Sequence, residues 1–269
     1  IKFESSNNYL YVFGYSINLD DNLELKLYES NKLLVYKYYK NILLLILLVL
    51  VVYFYIDKKK YLNSLIFSIS SFATIVLFLI RDINIITGLR YYRGGADGLL
   101  HFSFGRKIAQ NLSDYNLYDA LKGSEHIYYF MPGLRYFSSF NNYIFGDSSY
   151  GYVIICIFIP IIIFRIFNEL ITTKVALILF TSFIFIPVFE NMGFGYFNYV
   201  WQAARYHAES LSILFILVSF YLIIKIHQKK DVISMNLLIS ILLSLAVFLR
   251  PNFLPTSLIF FVYLIILLF

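Results

Sequence analysis

Residues 151–167 read GYVIICIFIPIIIFRIF, with Arg165 as their only charge. Such a segment has no polar face to give to water. In a lipid bilayer its backbone N–H and C=O groups must be satisfied internally, which only a helix or a closed barrel achieves. Six further runs have the same character: 38–56, 61–80, 175–189, 211–226, 232–249 and 255–269. About 20 mostly apolar residues cross the hydrocarbon core as a helix, so an all-α polytopic membrane protein with about seven spans is expected. The shorter runs are expected to extend into their flanks. Composition agrees: 60% of residues are hydrophobic and 14% charged, whereas soluble domains carry about 25% charged residues. Mean hydropathy is +0.72.

Lys and Arg in short connections orient such a bundle, because they stay on the cytoplasmic side. Lys58, Lys59, Lys60, Arg165, Lys174, Lys225, Lys229 and Lys230 fall in one set of connections. The other short connections hold only Arg205 and Arg250. The first set is therefore expected to be cytoplasmic, which puts residues 81–150, 191–210 and 250–254 on the extracytoplasmic face. Arg81, Arg90, Arg93, Arg106, Arg135, Arg205 and Arg250 then share the outer side, and Arg165 is the exception. The net charge of +6 suits anionic lipid or phosphate. The basic residues are scattered between apolar runs, which argues against a nucleic-acid partner. One cysteine, Cys156, excludes an intrachain disulfide and a cysteine zinc site.

Three regions follow. Residues 1–37 alternate apolar and polar positions in YLYVFGYSIN and LELKLYES, with Asp20-Asp21-Asn22 between them. That is strand periodicity with a turn, and a short extracytoplasmic β-rich segment is expected. Residues 38–60 supply an extra transmembrane helix and a cytoplasmic turn. Residues 61–269 form the membrane core, with a long outer loop over 81–150. The chain begins at Ile1 and ends within an apolar run at Phe269, as expected of a piece open at both ends.

The outer loop carries the polar chemistry. GGADGLLHFSFGRKIAQNL has helical spacing, with Leu99, Leu100, Phe104, Ile108 and Leu112 as its apolar face. Asp97 opens this helix and shares a face with His101, four residues on. Asp97 also suits a plain helix N-cap. The pair alone is a weak metal motif, because at least one more ligand is needed. Pro132-Gly133 marks a turn, with Arg135 just after it. Two later outer connections, YVWQAARYHAES and FLRPNFLP, bring Arg205, His207 and Glu209, then Arg250, to the same side. Arginine recognises phosphate and carboxylate bidentately. An acid, several arginines and a large loop at the membrane surface suit chemistry on a lipid-borne phosphate. Solvent-facing arginine and interfacial anchoring are the plainer alternatives. Tyr92, Tyr129 and Trp201 suit either sugar stacking or packing.

The run GGADGLLHFSFGRKIAQNL, then YYFMPGLRYFSSF and IFGDSSYGY, then RYHAESLSILFILVSFYLI and LAVFLRPNFLP, resembles the GT-C superfamily of integral membrane glycosyltransferases. That group includes protein O-mannosyltransferases and aminoarabinose transferases. The resemblance runs from about residue 61 to the end, and each motif is short. It implies a GT-C-like fold and a polyprenyl-phosphate-sugar donor. The sugar would pass, with inversion, to an acceptor hydroxyl on a glycan, lipid or protein.

In this resemblance Asp97 is the catalytic base; many members have two adjacent acids where this chain has Ala96-Asp97. An aspartate with its ordinary pKa of about 3.9 is ionised at neutral pH and can accept the acceptor's proton. Arg250, then Arg205 and Arg93, would bind the donor phosphate. His101, His207, Glu209 and Tyr129 are substrate-binding candidates. Some relatives use a divalent metal ion, but the sequence offers no clear ligand set. The resemblance places the protein in the bacterial cytoplasmic membrane, with its site facing outward. Alternatives are a transporter or flippase, or a polymerase or ligase, of lipid-linked cell-envelope glycans. Transporters concentrate polar residues and broken helices near mid-membrane, whereas the charges here gather at the outer rim.

Overall fold

The computed structural model describes residues 61–81, 96–123, 132–146, 148–186, 195–228 and 232–268. The chain divides into two compact units, Ile1–Asp57 and Lys58–Phe269, and every described residue lies in the second. The β-rich segment and the span expected over 38–56 lie outside the described residues.

The described residues form helices and no strands. In chain order they are α1 (Tyr61–Arg81), α2 (Ala96–Ser113), α3 (Leu117–Leu121), α4 (Gly133–Phe145), α5 (Tyr150–Leu170) and α6 (Thr173–Phe185). There follow α7 (Tyr196–Ala204), α8 (Glu209–Gln228), α9 (Val232–Leu249), a 3-10 turn (Pro251–Phe253) and α10 (Leu254–Leu268). Among the described residues, three helices are long and apolar enough to cross a membrane: Tyr61–Ile80, Tyr150–Leu170 and Glu209–Ile226. Thr173–Phe185, Met235–Leu249 and Pro251–Ile266 are apolar but shorter. The 13 residues of α6 rise only about 20 Å at 1.5 Å per residue, less than a hydrocarbon core of about 30 Å.

Helix directions follow from particular contacts. Near the start of α5 and α8, the Cys156 thiol and the Ser210 hydroxyl both reach the Tyr199 carbonyl. Near their ends, Glu169 pairs with Lys225. The two helices therefore run parallel. The start of α1 lies beside the end of α5, where Tyr61 and Asn63 share a cleft with Arg165 and Glu169. Further along α1, the Thr74 hydroxyl meets the Tyr196 phenol. Thus α1 runs antiparallel to α5. Helix α9 returns antiparallel to α8, which brings Arg250 back to Glu209. Leu134, Ile155, Leu211 and Leu249 join α4, α5, α8 and α9 in one core cluster.

One buried polar contact has a backbone cause. Pro160 lies inside α5 and has no N–H, so the carbonyl four residues earlier, that of Cys156, loses its helical partner. The Tyr196 phenol donates to that carbonyl at 3.0 Å. Burial pushes this phenol well above its ordinary pKa, so it stays protonated and keeps the proton it donates. A helix-breaking residue is tolerated in an apolar bundle when a neighbour satisfies the freed group in this way.

The loop helices pack more closely than their leucines suggest. The face of α2 turned inward carries Gly98, Phe102, Gly105 and Ile108. Leu99 and Leu100, expected on the apolar face, are 49% and 50% exposed. The reason is Gly105: a Cβ there would lie 2.6 Å from the Ser138 Cβ and 2.9 Å from the Ser139 nitrogen. Only a residue without a side chain lets α4 approach this closely. The buried Arg135 of α4 completes the contact, its guanidinium 3.9 Å from the Phe104 ring centroid on α2.

Candidate functional site

The site candidates gather where α8 begins and α9 ends. Arg250 occupies an extended position between α9 and the 3-10 turn. Pro251 favours that break, because the residue before a proline is biased away from helical conformation and Pro itself suits the opening of a new helical segment. The Arg250 side chain is 42% exposed and reaches Glu209 at 3.0 Å. Glu209 lies in the first turn of α8, where a carboxylate is favoured by the helix dipole. Its other oxygen is 3.8 Å from His207 Nδ1. Arg250, Glu209 and His207 are thus one connected group.

Arg205 lies two residues before His207 in the chain, its guanidinium 4.1 Å from the Trp201 ring centroid. The connection holding it is not a surface loop. Tyr196, Val200 and Ala203 of α7 are buried. The helix ends with the Tyr206 N–H bonded to the Ala203 carbonyl and the His207 N–H bonded to the Gln202 carbonyl. This is a Schellman cap, whose left-handed residue is usually glycine. Tyr206 takes it at φ 61°, which for a residue with a Cβ costs roughly 1–2 kcal/mol. Its ring is 1% exposed and lies 4.7 Å from Phe102 of α2 and 4.9 Å from Tyr152 of α5. Aromatic burial of this size offsets the backbone cost. The reversal fixes Arg205 and His207 on either side of the anchored ring.

The outer-loop helices converge on the same end. Gly133 opens α4 against α9: a Cβ there would lie 2.7 Å from both Cδ1 and the carbonyl oxygen of Phe248. The Tyr136 ring stacks on Phe248 at 6.1 Å, and its hydroxyl donates to the Leu121 carbonyl of α3. The Pro132-Gly133 turn therefore lies against the end of α9 that carries Arg250. On α2, half-buried His101 immediately precedes Phe102, which touches Tyr206. The backbone of Asp97 lies in the first turn of α2, one helical turn before His101 and on the same face. The side chain of Asp97 lies outside the described residues, as do Arg93 and Tyr129.

The structure thus brings together Arg250, Glu209 and His207, with Arg205 two residues before His207 in the chain and His101 on the helix that anchors Tyr206. Sequence reasoning did not foresee the structural part that two residues play. Arg135 had a visible signal, an arginine just after Pro-Gly on an amphipathic helix, but its burial had none. Tyr206 had no signal, because nothing in RYHAES marks a tyrosine for a glycine position. Among the described residues no three His, Cys, Asp or Glu side chains come together as a metal site would require, and no step is assigned to a metal. The chain matches no family model, no curated protein and no solved structure, so its functional reading stands on this geometry and on the sequence.

Proposed function

We propose that the protein is a membrane glycosyltransferase of GT-C-like, seven-span topology. It moves a sugar from a polyprenyl-phosphate donor to an acceptor hydroxyl on a glycan, lipid or protein at the extracytoplasmic face. The observation that carries this reading is the Arg250–Glu209–His207 group at the start of α8 and the end of α9, against which α4 packs. The opposite end of the bundle holds Arg165, Lys174 and Lys225, which supports a cytoplasmic location for that end and an outer one for the site. The bacterial cytoplasmic membrane is the setting that this donor chemistry implies.

In this mechanism Asp97 takes the proton of the acceptor hydroxyl as its oxygen attacks the anomeric carbon. The bond from that carbon to the phosphate oxygen breaks on the opposite face, which inverts the centre. Polyprenyl phosphate leaves with a negative charge, and a guanidinium stabilises that charge without giving up a proton. Arg250 suits this role because its fork has five N–H donors, more than Glu209 uses. Glu209 holds the fork in place before substrate arrives. Arg205 and Arg93 add positive charge, while His101, His207 and Tyr129 contact sugar or phosphate.

The test is transfer from a synthetic polyprenyl-phosphate sugar by membranes carrying Arg250→Gln. A hydrogen bond to a charged group is worth about 1.5–3 kcal/mol, so transfer efficiency with the donor should fall by about ten- to a hundredfold. Unchanged donor dependence would remove Arg250 from the phosphate site.

A further inference from the structure

A second site lies at the far end of the bundle. A cleft of about 530 Å³ is lined by Tyr61, Leu62 and Asn63 of α1 and by Phe164, Arg165, Asn168 and Glu169 of α5. Its size falls within the roughly 300–1,000 Å³ typical of small-molecule sites. Arg165, Asn168 and Glu169 are spaced i, i+3, i+4, so one face of α5 presents all three.

Their charges do not cancel. Glu169 is paired with Lys225 of α8. Arg165 is half-buried and makes no ion pair with any described residue. Among the described residues, the cleft therefore keeps one unpaired positive charge near the end of α5. Such a charge is costly in a membrane and marks a site for a counter-ion or ligand. Asn168 adds a buried side-chain oxygen with no hydrogen-bond partner among the described residues, an acceptor set for a hydroxyl donor. Leu62 and Phe164 supply an apolar wall, and Tyr61 is almost fully exposed beside them, as an interfacial aromatic is. In sequence, Lys58, Lys59 and Lys60 immediately precede Tyr61.

We propose that this cleft binds the headgroup of an anionic phospholipid of the phosphatidylglycerol type. The phosphate faces Arg165, a headgroup hydroxyl donates to Asn168, and the acyl chains leave past Leu62. Anionic lipid is attracted by clustered Lys and Arg at a membrane surface, and basic pockets between helices hold such headgroups. The site is independent of the transferase reading and lies at the opposite end of α5 from it.

The purified full chain in detergent is titrated with phosphatidylglycerol, with phosphatidylcholine and with inorganic phosphate, and bound lipid is counted by native mass spectrometry. Phosphatidylglycerol should bind in preference to phosphatidylcholine. Arg165→Gln should weaken it by about ten- to a hundredfold, the worth of a charge-assisted phosphate contact. Arg165→Lys, which keeps the charge and guards against a folding defect, should keep most of the binding. Asn168→Ala should show a smaller loss. Equal binding of the two lipids, or wild-type affinity in Arg165→Gln, would overturn the proposal. Displacement of the lipid by inorganic phosphate alone would overturn it too, by showing a site for free phosphate.

Discussion

Gly133→Ala places a methyl group where α4 meets the end of α9. The new Cβ would lie 2.7 Å from Phe248 Cδ1, 2.7 Å from its carbonyl oxygen and 2.9 Å from its carbonyl carbon. The ring could turn aside, but the carbonyl belongs to the helix end and cannot. Ordinary contact begins near 3.4 Å, so α4 must retreat by about 0.7 Å, an overpacking that costs roughly 1–3 kcal/mol. In a domain of this size each kcal/mol lowers the unfolding midpoint by about 2–4 °C. The functional effect should be larger than the loss of stability implies. A displacement approaching 1 Å at a reacting centre can cost about a hundredfold in rate, and the outer loop would move relative to Arg250. The assay pairs thermal unfolding in detergent, followed by far-ultraviolet circular dichroism, with sugar transfer from a polyprenyl-phosphate donor at a temperature where the variant stays folded. A lower midpoint together with at least a tenfold loss of turnover is expected. A midpoint equal to wild type would refute the packing argument. A lowered midpoint with full turnover would separate this contact from the site.

Two further substitutions test the supports of the site. Tyr196→Phe removes the donor to the Cys156 carbonyl that Pro160 leaves open; denaturation in detergent should show a loss of about 1–3 kcal/mol, and a Tyr196→Phe, Pro160→Ala double variant should recover much of it. Tyr206→Gly relieves roughly 1–2 kcal/mol of left-handed backbone cost but gives up a buried ring worth about 3–5 kcal/mol, so thermal unfolding should report net destabilisation; a stabilised variant would show that the ring contacts with Phe102 and Tyr152 contribute little.

Helix positions were legible because apolar runs in lipid leave the backbone few alternatives. The runs at 61–80, 211–226 and 232–249 match α1, α8 and α9 to within about two residues, the usual uncertainty of helix ends. The break at Arg250 was also visible, since Pro251 lacks an N–H and biases the residue before it away from helix. The side-by-side placement of Arg250, Glu209 and His207 was legible only in part: topology put them on one side, but no pattern in the sequence pairs a helix end with a helix start. The apolar spacing of α2 did not single out its packed face, because leucine counting treats glycine as neutral, whereas Gly105 marks the close approach to α4. In a membrane, Leu99 and Leu100 gain nothing by turning inward, so hydrophobicity does not choose between lipid and core. Tyr206 and the Tyr196–Cys156 contact depend on backbone geometry that residue type does not announce.

The central claim is that Asp97 is the base of a transferase assembled at the Arg250 end of the bundle. The most direct measurement is transfer from a labelled polyprenyl-phosphate sugar by membranes containing wild type or Asp97→Asn at equal protein levels. The amide cannot accept the proton, and removing a general base typically costs about 10²–10⁴ in rate. Product should fall by at least a hundredfold while the variant inserts normally. Product formed at the wild-type rate would contradict the assignment of Asp97 and, with it, the proposed reaction.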